Sequence, residues 1–396
     1  MRRDRTRNIV ITGLASLFTD VSSEMVYPII SLYLRALGGG PLTLGTIEGI
    51  AESTASLLKV FSGAIADWSG KRKPLTISGY ALSLLGKILF YFAHSWQTVL
   101  SGRFADRFGK GIRTAPRDAM IAESAPEHAQ GKAFGLHRAL DTSGAVIGVL
   151  ITYFFIARAQ EKVASTSHLS VYLPTFRFII LLSLIPATLG VLILFLAIET
   201  GSGKRSLSGP SLHWPSFKNL DRKLQIFLIA TLIFTLGNSS NQFILLRAAE
   251  PDVGFSPKNV TLLYLFYNGI YVLISYPAGH LSDKLGRKWI LVLGFLLYSF
   301  SYALIGIFPR AILWTMIPYG LYIGMTEGIS KALVAELSLP EEKATILGLH
   351  ATLLGIGLFP ASLLAGWLWN TWGPASPFLF GGSMSLLATA MLAFFL

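Results

Sequence analysis

The sequence predicts an all-α membrane protein with twelve transmembrane helices in two pseudo-symmetric halves of six. Three observations carry that prediction. The composition is too apolar to coat a water-soluble globule. Of 396 residues, 52% are hydrophobic and 14% charged, whereas an average soluble domain has about 25% charged residues, and the mean hydropathy is +0.57. Apolar runs recur along the whole length, each near the ~20 helical residues that a bilayer core requires. Finally, the second half of the sequence repeats the first.

The expected spans lie at roughly 9–35, 43–66, 74–94, 97–119, 130–157, 174–198, 222–247, 257–281, 289–308, 311–337, 341–369 and 374–396. Spans 4 and 5 are expected to be the least hydrophobic. The first run follows Arg2, Arg3, Arg5 and Arg7, as a signal peptide would. It is instead read as a retained helix, because it reaches about residue 34, carries Asp20 and Glu24, and lacks a small-residue cleavage site. Residues 199–221, rich in Gly, Ser, Pro and Lys, read as a polar cytoplasmic linker. The expected organisation is an N-terminal half over 1–198, that linker, and a C-terminal half over 222–396.

The formal charge of +12 has a topological explanation. With the N-terminus in the cytoplasm, nineteen Lys and Arg residues fall on cytoplasmic segments and seven on outer ones (Arg35, Arg158, Lys162, Arg177, Arg247, Lys258 and Arg310). That bias predicts both termini inside. Nucleic-acid binding is not expected, because the cations are scattered between apolar runs. With no cysteine, disulfides, thiolate metal sites and cysteine nucleophiles are excluded.

The repeat is explicit. Gly63, Asp67 and Gly70 in GAIADWSGKRK fall on Gly279, Asp283 and Gly286 in GHLSDKLGRK at an offset of 216. Phe18-Thr19 and Ser23 fall on Phe234-Thr235 and Ser239 at the same offset, and Glu123 and Gly135-Leu136-His137 fall on Glu336 and Gly348-Leu349-His350 at an offset of 213. A tandem six-span repeat points to a two-fold related transporter with its site between the halves.

The paired loops resemble G-x-x-x-D-R-x-G-R-R, the signature of the major facilitator superfamily. Gly63, Asp67, Gly70 and Arg72, with Gly279, Asp283, Gly286 and Arg287, carry the resemblance. Trp68, Lys71 and Lys284 stand where arginine is usual. It implies a conformational latch that holds the halves outward-facing, with Gly63 letting span 2 approach span 11. RFGKGIRTA at Arg107–Ala115 is similar to the family's R-F-x-Q-G-x-G motif, whose arginine is implicated in proton coupling; Lys110 and Arg113 depart from it. Gly144–Gly148 in span 5 resembles the glycine-rich motif of drug antiporters, with Ala145 in place of proline.

Ionisable groups within a bilayer line cavities or pair with one another. Asp20 and Glu24 share one face of span 1. Mutual repulsion and an apolar setting raise the expected pKa of at least one, as a proton carrier requires. The alternatives are a static pair with an arginine of span 4 or 5, or a direct contact with substrate or cation. Glu52 in span 2 shares a face with Glu48 and Lys59; Glu52 is a coupling candidate, and Glu48, near the outer end, reads as solvated. Arg103, Asp106, Arg107 and Lys110 crowd two turns of span 4. Arg103 and Arg107 are candidates for binding an anionic group, and Arg107 also for coupling. Arg113, Arg117 and Asp118 approach the cytoplasmic face and read as a solvated gate or as headgroup contacts. Arg138 and Asp141 are expected to pair with each other or with span 1, and Glu327 with Lys331. Lys87 is expected to snorkel from a peripheral third helix. His137 and His350 occupy matched places, and neither metal nor cofactor is expected.

The C-terminal half offers neutral and aromatic groups instead: Asn238, Asn241 and Gln242 in span 7, Tyr267, Asn268 and Tyr271 in span 8, and Tyr322 and Glu327 in span 10. With Arg138 and Asp141 these complete the candidate substrate site, suited to an amphipathic organic ligand. The expected partners are membrane lipid, a small organic solute and protons. The chain is expected to act as a monomer in a cell membrane, the inner membrane of a bacterium. The main expectation is proton-coupled movement of that solute, of drug or metabolite efflux type. Symport of an organic anion, a membrane-embedded enzyme and a non-transporting sensor are the competitors. Terminal fusions test the orientation: green fluorescent protein at either end is expected to fluoresce, and alkaline phosphatase at either end to stay inactive.

Overall fold

The computed structural model describes residues 2–125, 130–162, 169–200, 217, 220–339 and 343–396. Among them there are helices and no strands. α1 (Arg2–Val26), α2 (Ile30–Ala36), α3 (Pro41–Ser69), α4 (Lys73–Tyr91), α5 (Trp96–Ser124), α6 (Gln130–Lys162) and α7 (Leu173–Leu194) are followed by α8 (Arg222–Gly237), α9 (Gln242–Ala248), α10 (Pro257–Leu285), α11 (Arg287–Ile307), α12 (Ile312–Leu337), α13 (Lys343–Trp372) and α14 (Ser376–Phe395). Each expected span coincides with a helix or a pair of helices. The expected linker lies largely outside the described residues.

The first span and the seventh are both interrupted. A 3₁₀ turn at Tyr27–Ile29, with Pro28 inside it, separates α1 from α2, and Asn238–Asn241 separate α8 from α9. Such breaks strand backbone groups that need partners in a dry setting.

Among the described residues, eight spans are apolar enough by length and composition to cross a bilayer unaided; α3, α4, α5 and α12 are not among them. Span 5 departs from expectation, since Lys132–Glu161 reaches a hydropathy of 1.7. Its polar residues are gathered at the two ends of α6, up to Asp141–Ser143 and again from Arg158 to Lys162, with a largely apolar stretch between them.

The chain forms two compact units. One holds the residues up to Gly39 and from Ile50 through α7; the other holds Gly40–Gly49 with α8 to α14. The start of α3 is therefore seated on α13: a Cβ at Gly49 would lie 2.9 Å from the Phe359 carbonyl oxygen, and one at Gly366 would lie 2.6 Å from that of Pro41.

Inside the first unit, α4 and α5 touch backbone to backbone. A Cβ at Gly79 would stand 2.6 Å from the Gly109 oxygen, one at Gly102 2.9 Å from the Gly86 oxygen, and Gly86 and Gly109 meet Gly102 and Gly79 in return. Two glycines seven residues apart on each helix thus form a reciprocal antiparallel seam, the close approach that small residues permit in membranes. Gly144 and Gly148 seat α6 on α1 in the same manner, with a Cβ at Gly148 3.0 Å from the Met25 nitrogen. The seam also explains why Lys87 does not snorkel. It is 2% exposed, and its ammonium reaches Asp106 at 3.6 Å and donates to Ser23 Oγ at 3.2 Å.

Gly86→Val is expected to lower the unfolding free energy by about 1–3 kcal/mol through overpacking. Gly135→Ala, at a glycine with open space around it, is expected to stay within about 0.5 kcal/mol of the parent. Thermal unfolding in detergent checks both.

Candidate functional site

The polar face of the first unit is built around α5. Arg103 and Arg107, one turn apart, converge on one oxygen of Glu52: Arg103 Nη2 donates to Oε1 at 3.2 Å, and Arg107 Nε lies 3.2 Å from the same atom. Both also lie 3.7 Å from Asp106. The Tyr27 ring, presented by the break after α1, faces both guanidinium groups at 5.3 and 5.9 Å, within cation–π range. Lys87 completes the network through Asp106. Nearly two turns further, Arg113 donates to Ser83 Oγ at 2.5 Å and lies 4.5 Å above the Tyr80 ring. A buried ion pair persists only when geometry and extra hydrogen bonds offset desolvation, and this set of interactions supplies both.

A second cluster joins α1 to α6. Asp20 faces Asp141, with Glu24 and Lys110 as its other charged neighbours. Ser16 Oγ donates to Asp141 Oδ1 at 2.6 Å, and Arg138 Nη1 lies 3.4 Å from Asp141 Oδ2. Arg117 donates to Ser16 Oγ at 3.3 Å and to Asp118 at 2.8 Å. The carboxyl facing Asp20 thus belongs to span 5, and the pair is acid with acid rather than acid with arginine.

In the second unit the break between α8 and α9 organises the polar groups. The Gly237 carbonyl, stranded at the end of α8, accepts from Tyr298 OH at 2.9 Å. Asn238 Nδ2 donates to Tyr322 OH at 3.4 Å; Asn241 donates to Tyr267 OH at 3.3 Å and accepts from Tyr319 OH at 2.6 Å. The rings pack on one another, Tyr267 against Tyr319 at 5.5 Å and Tyr298 against Tyr322 at 4.8 Å. Gln242 is fully buried, and its backbone N–H reaches Ser240 Oγ at 3.3 Å. Ser240 in turn donates to Glu48 at 2.9 Å. Glu48 is therefore a buried acceptor and not a solvated end group, because the start of α3 is packed into this unit.

The other candidates make separate contacts. Asn268 donates to the Tyr264 carbonyl one turn back at 2.8 Å, and Tyr271 donates to Glu327 at 2.6 Å. The expected Glu327–Lys331 pair is absent among the described residues, since the Tyr271 hydroxyl takes the carboxylate instead. Span 11 (α13) also places His350 against the Phe227 ring at 5.9 Å.

At the ends of α3 and α10 the repeated motif forms the same device twice, each copy within its own unit. Gly70 and Gly286 turn the chain at φ 62° and 90°, a conformation open to glycine. Arg72 pairs with Glu123 and lies 3.3 Å from Asp67. Arg287 lies 2.8 Å from Glu336 and 3.6 Å from Asp283, and donates to the Ala332 carbonyl at 3.0 Å. At the offset of 216 Arg287 falls on Lys71, whereas in the structure Arg72 is its counterpart. Three residues separate α3 from α4, but only Gly286 separates α10 from α11. Around Gly63 the nearest atom to a Cβ is Ala115 Cβ at 3.4 Å, and Gly279 has open space.

Residues 12–246 and 226–396 match the family model of the Major Facilitator Superfamily. The chain is 35% identical over 403 residues to an uncharacterized MFS-type transporter of Methanocaldococcus jannaschii, covering 99% of this chain and 96% of that one. It is 24% identical to a multidrug resistance protein of Photorhabdus laumondii, covering 88% and 83%. Among solved structures, a D-xylose–proton symporter superposes with a TM-score of 0.75 at 16% identity, covering 99% and 98%.

Asp106→Asn, which leaves Lys87 buried without its carboxylate, is expected to cost about 3–5 kcal/mol of stability. Lys87→Met combined with Asp106→Leu is expected to recover most of that loss. A double-mutant cycle read by thermal unfolding measures the coupling.

Proposed function

We propose that this chain, which belongs to the major facilitator superfamily and is a membrane transporter rather than an enzyme, moves a small organic solute by proton-coupled alternating access. Efflux is the direction we favour, supported by the resemblance to the multidrug resistance protein. The observation that carries the coupling proposal is the acid pair that faces across α1 and α6. Asp20 meets Asp141, and Asp141 is itself tied to Ser16 and Arg138. Two neighbouring carboxyls in a dry setting repel when both are charged, which is what lets such a pair take up and release a proton. Its loss leaves a second negative charge beside Lys110 and Glu24, and so changes the energy of this face when it meets water or solute. Glu52 and Arg107 belong to the same machinery through the network on α5.

The remaining assignments follow from that reading. Asn238, Asn241 and Tyr322, with Tyr267 and Tyr271, supply neutral hydrogen-bonding groups and ring faces for the solute; Gln242, Asn268 and Glu327 support them. The Arg72 and Arg287 devices fix the helix ends on which the halves rock. The charge bias favours both termini in the cytoplasm, and the reading takes the chain as a monomer in the cytoplasmic membrane of a prokaryote. The second reading, symport of an organic anion, draws on the cations of α5.

Reconstitution in liposomes with an imposed pH gradient tests the coupling. Amphipathic cations and organic anions are screened on the parent, Asp20→Asn and Glu24→Gln. Gradient-driven flux is expected to fall at least about tenfold, a barrier change of about 1.4 kcal/mol, in one of the variants. Its direction in the parent separates efflux from symport. Equal, gradient-independent flux in all three proteins would make these carboxyls structural.

A further inference from the structure

Lys110 is the cation on α5 that the network leaves over. It follows Arg103 and Arg107 at positions i+7 and i+3, so the three share one face of the helix. Arg103 is 2% exposed and Arg107 is 7% exposed, and both are committed to Glu52 and Asp106. Lys110, by contrast, is exposed. Its charged neighbours include Arg107, Glu52, Asp20 and Arg113. Both acidic neighbours have closer partners, Glu52 in two arginines and Asp20 in Asp141. Among the described residues no carboxylate lies within ion-pairing distance of the Lys110 ammonium. The group thus stands on a polar face beside two further cations, in a helix that composition alone does not mark as a membrane span.

From this we infer that Lys110 is a substrate-binding residue and that the transported solute carries a single anionic group, of carboxylate size, which this ammonium receives. An ammonium is a compact charge with three donors. It suits one small anion, whereas the arginine forks that would hold a phosphate dianion are occupied by Glu52. The neighbouring arginines raise the local positive potential and favour the same charge sign. Glu52 and Asp20, close by but committed, limit that potential so that a monoanion is bound and released. The inference rests on the reading of the chain as a transporter of small organic solutes and specifies the charge of its cargo.

The test is ligand-dependent thermal stabilisation of the full chain in detergent. The probes are benzoate, 1-naphthoate and decanoate, each with its primary amide and its amine isostere, together with phenyl phosphate. For the parent, at least one carboxylate is expected to stabilise where its amide and amine do not. Lys110→Gln is expected to weaken that carboxylate at least about tenfold, the loss of a hydrogen bond to a charged group, while Lys110→Arg retains it within about threefold. The unliganded melting temperature reports whether each variant is folded, and the retained Lys110→Arg response guards against a merely structural effect. A parent that responds to amines and not to carboxylates, a carboxylate response unchanged in Lys110→Gln, or a parent with no carboxylate-specific response would each overturn the inference. An amine response abolished by Glu52→Gln would do so while leaving the transport reading intact.

Discussion

A charge inside a bilayer must be paired or hydrated, and the first unit meets that constraint through the glycine seam between α4 and α5. With the two backbones in contact, Lys87 reaches Asp106 directly. Asp106 is then shared by a lysine and two arginines, and the arginines extend to Glu52. Without the seam the two helices would stand farther apart, and Lys87 on α4 would lose its reach to Asp106 on α5. Packing of the smallest residues therefore supports the charge-rich helix α5 in its buried setting.

The second unit solves a different problem with neutral groups. The interruption between α8 and α9 strands a carbonyl and presents two asparagines, and tyrosines from α10, α11 and α12 satisfy them. A tyrosine brings an apolar ring and one polar handle, which suits a site that must be apolar and hydrogen-bonding at once. The first unit uses its own break in the same way: Tyr27 is set under two guanidinium groups. Broken helices at corresponding places in the two halves thus carry ring faces to charge in one and to amide in the other.

Much of the fold was legible in the sequence, because span length and the tandem motif are local signals. Apolar runs of bilayer length each became helices, and the repeated Asp-Gly-Arg loops became two copies of one device. What was hidden depends on which helix touches which. Lys87 read as peripheral because the spacing of Gly79 with Gly86 and of Gly102 with Gly109 has meaning only once α4 and α5 are antiparallel neighbours. Glu48 read as solvated because nothing local shows that the start of α3 packs into the second unit. Glu327 and Lys331 satisfy the helical spacing of a pair, but a tyrosine hydroxyl from another helix captures the carboxylate. Tyr298 gave no signal at all, since its partner is a backbone carbonyl freed by a break that hydropathy does not reveal.

The central claim is that solute and proton movement are linked through the charged face of the first unit. It is tested most directly by liposomes that hold the protein and a trapped pH-sensitive dye, with no gradient imposed. Addition of a transported solute is expected to produce a dye signal that tracks solute concentration, collapses with a protonophore, and is absent from protein-free liposomes. Solute movement of the same size with no proton movement beyond the protein-free control would contradict the account.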